Sequence, residues 1–368
     1  MDATFLRDLA AAPRPTGSAA LAAARERCAG ALRELGYKVT ETPFEFSAFP
    51  GRCATPLFGA IVMGLVAVAG HWGARGARGV PLVVLLVGGL ALVVFGRWLA
   101  RRGVLRLRLM RSTGVNIEAS RSNHVRVWLC AHIDSKSQPI PTLVRAAGIG
   151  LESAGAAATL LLAIGAAIGI QAPYAVWAAA AGVTLIGSIP VVLSVVGDRS
   201  PGALDNASGV VTVFTAAREL QDLEGVGVLL TDAEELGLAG AHAWSVRRTP
   251  TVVLNCDGVD DVGDVTIMLP RRHSSSLREV IATASSASGV AHRARGIPIG
   301  LLTDSVAFAQ HGSASATFSR GSWSSLARVH STRDDLARLT GRGIADVARL
   351  MAATARLIAA RNPNSQET

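Results

Sequence analysis

Charged residues are scarce in this sequence. Only 17% of its 368 residues are charged, whereas soluble domains average about 25%. Hydrophobic residues make up 50% of the chain. This balance excludes an ordinary soluble enzyme, and it indicates membrane-spanning segments in a chain that is also long enough for a large folded domain.

Closely spaced cysteines and a signal peptide are also lacking. The four cysteines form no CxxC pair, and two of them lie in predicted core strands, so we expect free, buried thiols in a reducing compartment. The amino terminus carries acids and prolines where a signal peptide has a basic start and an apolar core, which argues against cleavable export. The cysteines are Cys28, Cys53, Cys130 and Cys256.

Basic residues outnumber acidic ones, and the formal net charge is +9. A nucleic-acid surface is one explanation, but the densest basic cluster directly follows an apolar run, as the flank of a membrane segment does. We therefore expect a lipid bilayer, and no nucleic acid, as a partner. The cluster consists of Arg97, Arg101, Arg102, Arg106, Arg108 and Arg111.

Four long uncharged runs predict two transmembrane helical hairpins. In the first hairpin, residues 54–70 and 80–96 are runs of 17 residues, at the short end of the roughly 17–25 that cross a bilayer. A buried hairpin of a soluble protein is the alternative, but Trp72 and Trp98 at the run ends favour membrane interfaces. We expect an integral membrane protein with four spans.

The second hairpin comprises residues 153–170 and 172–196, with a turn too short to protrude far beyond a membrane. Arginines also predict the orientation of both hairpins. Six arginines follow the first hairpin, whereas its turn contains only Arg75 and Arg78. The positive-inside rule therefore places the rest of the chain on the cytoplasmic side.

The remaining segments alternate predicted strands and helices, ending in a long helix over residues 335–360. Such alternation is typical of a largely parallel, layered α/β sheet, in which loops at the carboxyl ends of strands build the site. We expect one catalytic domain interrupted by the two hairpins. The domain segments are 1–53, 112–142 and 198–368, and the hairpin segments are 54–111 and 143–197.

Acids and histidines stand where predicted strands end or helices begin. The clearest example is Glu234 and Glu235, which follow an apolar strand; a solvated helix start is the alternative for this pair. Two histidines and three carboxylates from this set fit two zinc ions that share a bridging carboxylate. The further members of the set are His132, Asp134, Asp205, Asp257 and His330.

The motifs HxD, DNxSG, EE, NxD and TDSxxF, followed by a late histidine, occur in an order that resembles the M28 family of zinc aminopeptidases. The resemblance covers residues 1–50, 112–142 and 197–360. It implies the phosphorylase/hydrolase-like α/β/α sheet of the zinc peptidases, here interrupted by two transmembrane hairpins. It also implies a peptide substrate and two Zn²⁺ ions.

The resemblance also implies a role for each matching residue. Asp205 corresponds to the carboxylate that bridges the two zinc ions. His132 and Asp257 correspond to the further ligands of one ion, and Glu235 and His330 to those of the other.

Two more residues take roles from the same resemblance. Glu234 corresponds to the general base, which activates a metal-bridging water for attack on the scissile carbonyl and returns its proton to the leaving amine. Asp134, two residues after His132, corresponds to a partner that orients the imidazole.

The sequence departs from the family pattern between the first two motifs. His132 and Asp205 are 73 positions apart, where the family has a modest loop, and the second hairpin accounts for most of this excess. An even number of membrane crossings returns the chain to the same side, so the two residues can still meet. Residues 198–205 span at most about 28 Å, which predicts a site near the membrane surface.

Two other functions stay open at this point. One is a single-zinc glutaminyl cyclase of the same fold, and the other is a non-catalytic membrane scaffold or receptor. Retention of all five ligands favours the hydrolase over both. The sequence assigns no residue preference or oligomeric state, and Asp260, Asp261 and Asp304 are candidates for binding a free substrate amine.

Overall fold

The computed structural model describes residues 3–270, 275–298 and 300–360. The chain forms two compact units that alternate along the sequence. The first unit comprises the chain up to Ala48, Val104–Ser137 and the chain from Asp198; the second comprises Phe49–Gly103 and Gln138–Gly197. The predicted range 198–368 ends in residues 361–368, which lie outside the described residues.

Eight strands of the first unit form one mixed sheet in the order β1-β2-β4-β3-β5-β8-β6-β7. Its centre, from β4 to β8, is parallel, and β1, β2 and β6 join it in antiparallel pairs. The predicted largely parallel arrangement is therefore correct for the centre and for the pair β6–β7, and not for β1, β2 or the junction of β6 with β8. The strands are β1 Lys38–Ser47, β2 Arg111–Ser120, β3 Val127–His132, β4 Val226–Thr231, β5 Val252–Val259, β6 Asp264–Leu269, β7 Arg293–Gly296 and β8 Ala314–Gly321.

Both faces of the central strands are covered, because their side chains alternate between two cores. In β3, Val127 and Leu129 belong to the larger core, whereas Trp128 and Cys130 belong to a smaller core on the opposite face. Every residue of β3 and β4 is buried, which is the pattern of central parallel strands. The unit is thus a layered α/β structure.

Thirteen α-helices occur in the described part of the chain, and nine of them belong to the first unit. Ser18 caps α2, since its hydroxyl accepts a hydrogen bond from Leu21 N–H (3.1 Å). The nine are α1 Ala3–Leu9, α2 Ala19–Glu34, α5 Val104–Arg106, α8 Ser208–Glu219, α9 Ala239–Ser245, α10 Ser275–Ser288, α11 Asp304–Gln310, α12 Trp323–Leu326 and α13 Arg342–Ala360.

The predicted closing helix over 335–360 is wrong at its start. Asp335 caps only a single turn, Leu336–Arg338, and α13 begins at Arg342. Between the two, Leu339 is extended and Gly341 has a φ of +88°, a left-handed conformation that interrupts the helix.

The second unit contains four helices that are long and apolar enough to cross a membrane, judged by length and composition within the described residues. Their outer faces expose large apolar side chains, such as Val83, Val87 and Leu90 on α4. The helices are α3 Thr55–Ala74, α4 Val80–Trp98, α6 Thr142–Ala167 and α7 Tyr174–Val192.

Small residues allow α6 and α7 to pack closely. A Cβ atom added to Gly155 would lie 2.4 Å from the Thr184 hydroxyl, and one added to Gly187 would lie 2.3 Å from the Glu152 backbone nitrogen. Ser188 also donates a hydrogen bond to the Glu152 carboxyl group (2.8 Å) between the two helices. Close contact of this kind is typical of helix pairs in membranes.

Candidate metal centre

The candidate site lies at the carboxyl edge of the parallel strands β4, β3 and β5. His132 is the last residue of β3, and Asp257 of β5 lies beside it, two residues beyond the last paired residues of the two strands, Cys130 and Asn255. Glu234 and Glu235 follow the end of β4 after Ala233, a non-glycine residue with a φ of +57°. The strand order thus brings together residues that are far apart in sequence.

Asp205 reaches the same edge from the segment that precedes α8. Its backbone is non-helical, and its peptide bond to Asn206 is cis. The Asn206 side chain donates to the Cys256 carbonyl (2.9 Å) and accepts from Gly258 N–H (3.1 Å), which fastens this segment to β5. The Asp334 carboxylate accepts from Asp205 N–H (3.1 Å) on the other side.

Two groups of three side chains offer ligand atoms within 4.8 Å of one another. The first trio is His132, Glu234 and Asp257, and the second trio is Asp205, Glu235 and His330. All six residues are predicted site residues of the sequence analysis, and the structure brings their side chains together.

The two oxygens of Asp205 face different trios. Its Oδ1 lies 3.1 Å from His132 Nε2, and its Oδ2 lies 3.0 Å from His330 Nε2. His132 Nε2 is also 3.8 Å from Asp257 Oδ1, and His330 Nε2 is 3.3 Å from Glu235 Oε1. Asp205 therefore connects the second trio, to which it belongs, with His132 of the first trio.

The ligand set fits zinc. Imidazole nitrogens and carboxylate oxygens are common zinc ligands. His132 Nε2 and Glu235 Oε1 are buried, and neither has a hydrogen-bond partner among the described residues. Since a buried polar atom without a partner costs about 1–3 kcal/mol, a cation at this position would compensate for the missing hydrogen bonds.

The adjacent glutamates have opposite pKa shifts. Burial raises the pKa of Glu234 well above its ordinary value, and the carboxylates of Glu235 and Asp257 raise it further against the lowering effect of His132. Burial also acts to raise the pKa of Glu235, but Lys136 and His330 outweigh it and lower the value to about 2. The environment of Glu234 thus favours a proton, and that of Glu235 favours a permanent negative charge.

The neighbouring charged groups favour the charged forms of His132 and Asp205. Burial lowers the pKa of His132, but the surrounding carboxylates, Glu234 foremost, raise it well above its ordinary value. Burial likewise opposes the charge of Asp205, whose pKa lies well below the ordinary value because of its contacts with His132 and His330.

Asp134 contacts both His132 and the glutamate pair. His132 Nδ1 lies 3.1 Å from the Asp134 backbone carbonyl and 3.5 Å from its carboxylate, so the closer contact is with the backbone. The carboxylate accepts from the backbone N–H groups of Glu234 (3.1 Å) and Glu235 (3.2 Å). Asp134 therefore connects the ends of β3 and β4.

The three acids proposed for substrate amines are engaged by the protein itself. Asp260 is buried and pairs with Arg328 (2.5 Å), and Asp261 accepts from Thr340 N–H (2.5 Å). Asp304 is fully buried, and burial raises its pKa to about 7.

Sequence reasoning missed Arg14, a buried residue that supports the site. Its guanidinium donates to the backbone carbonyls of Leu9, Ile133 (2.9 Å), Pro201 (2.7 Å) and Gly202 (3.0 Å). It thereby joins the HxD segment to the segment that leads to DNxSG. Nothing in the sequence distinguishes this arginine from the other basic residues, because its partners are carbonyl groups, which every residue has.

We expect Arg14→Met to lower the free energy of unfolding of the first unit by at least about 3 kcal/mol. The substitution leaves several buried carbonyls without a donor, at about 1–3 kcal/mol each. Thermal and denaturant unfolding of the purified protein measure the effect. Arg7→Met is the matched control, because Arg7 is exposed on α1 and its loss should change stability by less than about 0.5 kcal/mol. Equal stability of the two variants would contradict the assigned role.

The segment that contains most of these residues resembles a known peptidase family. Residues 188–355 match the model of peptidase family M28. The matched segment includes Asp205, Glu234, Glu235, Asp257 and His330, whereas His132 precedes it. No curated protein matches the sequence.

Solved structures show the same fold at low sequence identity. An aminopeptidase from Aneurinibacillus sp. strain AM-1 is 14% identical, with a TM-score of 0.54 over 96% of this chain and 92% of that one. A zinc aminopeptidase from Bacillus subtilis is 14% identical, with a TM-score of 0.56 over 96% and 93%. Porphyromonas gingivalis glutaminyl cyclase is 14% identical, with a TM-score of 0.54 over 96% of each chain.

The fold prediction is therefore confirmed for the mixed α/β sheet of the zinc peptidases. The match of residues 188–355 to the peptidase family M28 model supports a zinc-dependent hydrolase.

Proposed function

We propose that this protein is a membrane-anchored di-zinc aminopeptidase. The observation that carries the proposal is the position of Asp205, with one carboxylate oxygen toward His132 and the other toward His330. A carboxylate in this position can bridge two ions, with His132 and Asp257 completing one ligand set and Glu235 and His330 the other.

Zinc held by these residues would polarise a scissile carbonyl and would lower the pKa of water. The protein's own contribution is to hold the ligands and to move a proton. Glu234 is the proposed general base: its carboxylate accepts a proton from the attacking water and delivers it to the leaving amine. Its raised pKa suits an acid that must both accept and release a proton, and Asp134 fixes its backbone.

The four apolar helices support the membrane anchor, and the arginines after the first hairpin support a cytoplasmic catalytic unit. A reporter fused to the carboxyl terminus tests the orientation. We expect a reporter that is active only in the cytoplasm to give a signal. Activity of a reporter that works only outside the cytoplasm would contradict the proposed cytoplasmic location of the catalytic unit.

Zinc content and products test the proposed reaction. We expect about two zinc ions per chain, release of the first residue from a peptide with a free amine, and no cleavage of the N-acetylated peptide. Chelation should abolish the activity, and added zinc should restore it. A protein without zinc, or one that cleaves both peptides equally, would contradict the proposal.

A single-zinc glutaminyl cyclase is the second candidate, since the fold is shared with a glutaminyl cyclase. A peptide with an amino-terminal glutamine separates the two reactions. The hydrolase releases free glutamine and shortens the peptide by one residue, whereas a cyclase releases ammonia and leaves a pyroglutamyl residue at the amino terminus of a peptide of unchanged length. One zinc ion per chain together with ammonia release would show that the protein is a cyclase and would contradict the aminopeptidase proposal.

A further inference from the structure

The two carboxylate oxygens of Glu235 have different surroundings. Oε1 lies 3.3 Å from His330 Nε2 and has no hydrogen-bond partner in the described ranges. Oε2 lies 2.5 Å from the Lys136 ammonium. One oxygen is thus directed toward the second trio, and the other is held by a cation.

The backbone of Lys136 is fixed on both sides. Ser135 N–H donates to the Arg14 carbonyl (3.0 Å), and the Ser137 hydroxyl accepts from Arg199 N–H (2.9 Å). The lysine therefore extends from an anchored loop, so only side-chain freedom remains to be lost when the ion pair forms.

The Lys136–Glu235 pair is not a surface ion pair. The Glu235 side chain is only 3% exposed and that of Lys136 is 17% exposed. Pairs at the surface are screened and contribute about 0–1 kcal/mol, whereas a charge contact in this partly enclosed site is screened much less. The contact is therefore strong enough to set the orientation of the carboxylate.

We propose that Lys136 is a positioning residue, which holds Oε2 of Glu235 so that Oε1 alone faces the metal position of the second trio. The inference rests on the proposed function, because it assumes that the second trio binds zinc. Groups that orient a metal ligand typically raise metal affinity by about 10- to 100-fold. Lys136 follows His132 by four residues, so the end of β3 carries a ligand of the first trio and the loop that follows it carries the orienting cation of the second.

The sequence provides a matched control, because Lys38 and Lys136 are its only lysines. Lys38 begins β1 and is exposed. The experiment measures zinc affinity of the full-length protein by competition with a chelator. We expect Lys136→Met to weaken one zinc site by about 10- to 100-fold, Lys136→Arg to lie closer to wild type than to Lys136→Met, and Lys38→Met to match wild type.

The same substitution in a protein that lacks the Glu235 carboxylate tests whether Lys136 affects zinc affinity through Glu235. In a Glu235→Ala protein, Lys136→Met should cause no further loss of zinc affinity, since the carboxylate that the lysine orients is gone. An equal loss in both backgrounds would overturn the inference. Thermal unfolding of the zinc-free proteins, with Lys136→Gln as a second variant, shows whether a loss of affinity comes from a loss of fold.

Lysine labelled with ¹⁵N at the ammonium gives a readout that needs no activity. Two signals are expected, and zinc should shift the one that Lys136→Met removes and leave that of Lys38 unchanged. If wild type binds zinc and Lys136→Met binds it equally well, the role of Lys136 is refuted and the metal centre stands. If wild type binds no zinc, both are refuted.

Discussion

Glu234→Gln is expected to lower kcat by about 10²- to 10⁴-fold while the protein keeps its zinc. Glutamine has nearly the same shape as glutamate, but it cannot accept a proton at neutral pH. The backbone N–H of residue 234 still donates to the Asp134 carboxylate (3.1 Å), so the substitution leaves the end of β4 in place. The measurement is peptide hydrolysis alongside zinc content.

The neighbouring glutamate is the control for this substitution. Glu235→Gln changes the same functional group one residue away, but Glu235 is a proposed ligand, so we expect zinc to be lost from the second trio together with activity. The two variants should therefore differ in zinc content although both lose activity. Wild-type activity of Glu234→Gln, or equal zinc loss in both variants, would contradict the separate roles of the two glutamates.

The opposite surroundings of this pair follow from which groups lie beside each carboxylate. Glu234 is buried near other acids, and its pKa is raised, whereas Glu235 contacts Lys136 and His330 and has a pKa lowered to about 2. A sequence reveals that two acids are adjacent, but these neighbours come from other strands and loops. The division into a proton carrier and a fixed charge therefore depends on the tertiary structure.

Several parts of the site are predictable because they depend on strand ends. Central parallel strands are continuous apolar runs, and their carboxyl ends meet at one edge. His132 and Asp257 end or nearly end such runs, so their proximity follows from strand order and register. The same reasoning selects Glu234 and Glu235.

Other parts are not predictable from periodicity. Arg14 and Asp334 bind backbone groups of the site loops, and a backbone group leaves no trace in a sequence. The start of α13 is also misplaced, because Gly341 breaks a helical pattern that otherwise continues from Leu336. In both cases the decisive contacts or dihedral angles belong to the folded chain.

Asp205→Ala is expected to remove both zinc ions, which distinguishes it from the other ligand variants. Its Oδ1 and Oδ2 lie 3.1 Å from His132 Nε2 and 3.0 Å from His330 Nε2, so each trio loses a negatively charged neighbour. Loss of the metals removes several kcal/mol of charge stabilisation, and about 1.4 kcal/mol corresponds to a tenfold change in rate. We expect activity to fall by at least about 10³-fold.

The comparison with Asp257→Ala and Glu235→Ala decides whether Asp205 is shared. Each of these two residues belongs to one trio, so each variant should retain about one zinc ion while Asp205→Ala retains none. The Asp334 carboxylate still holds the backbone of residue 205, so the Asp205→Ala protein should unfold at nearly the temperature of zinc-free wild type. If Asp205→Ala keeps one zinc ion as Asp257→Ala does, Asp205 serves a single metal, and the bridge between the trios does not exist.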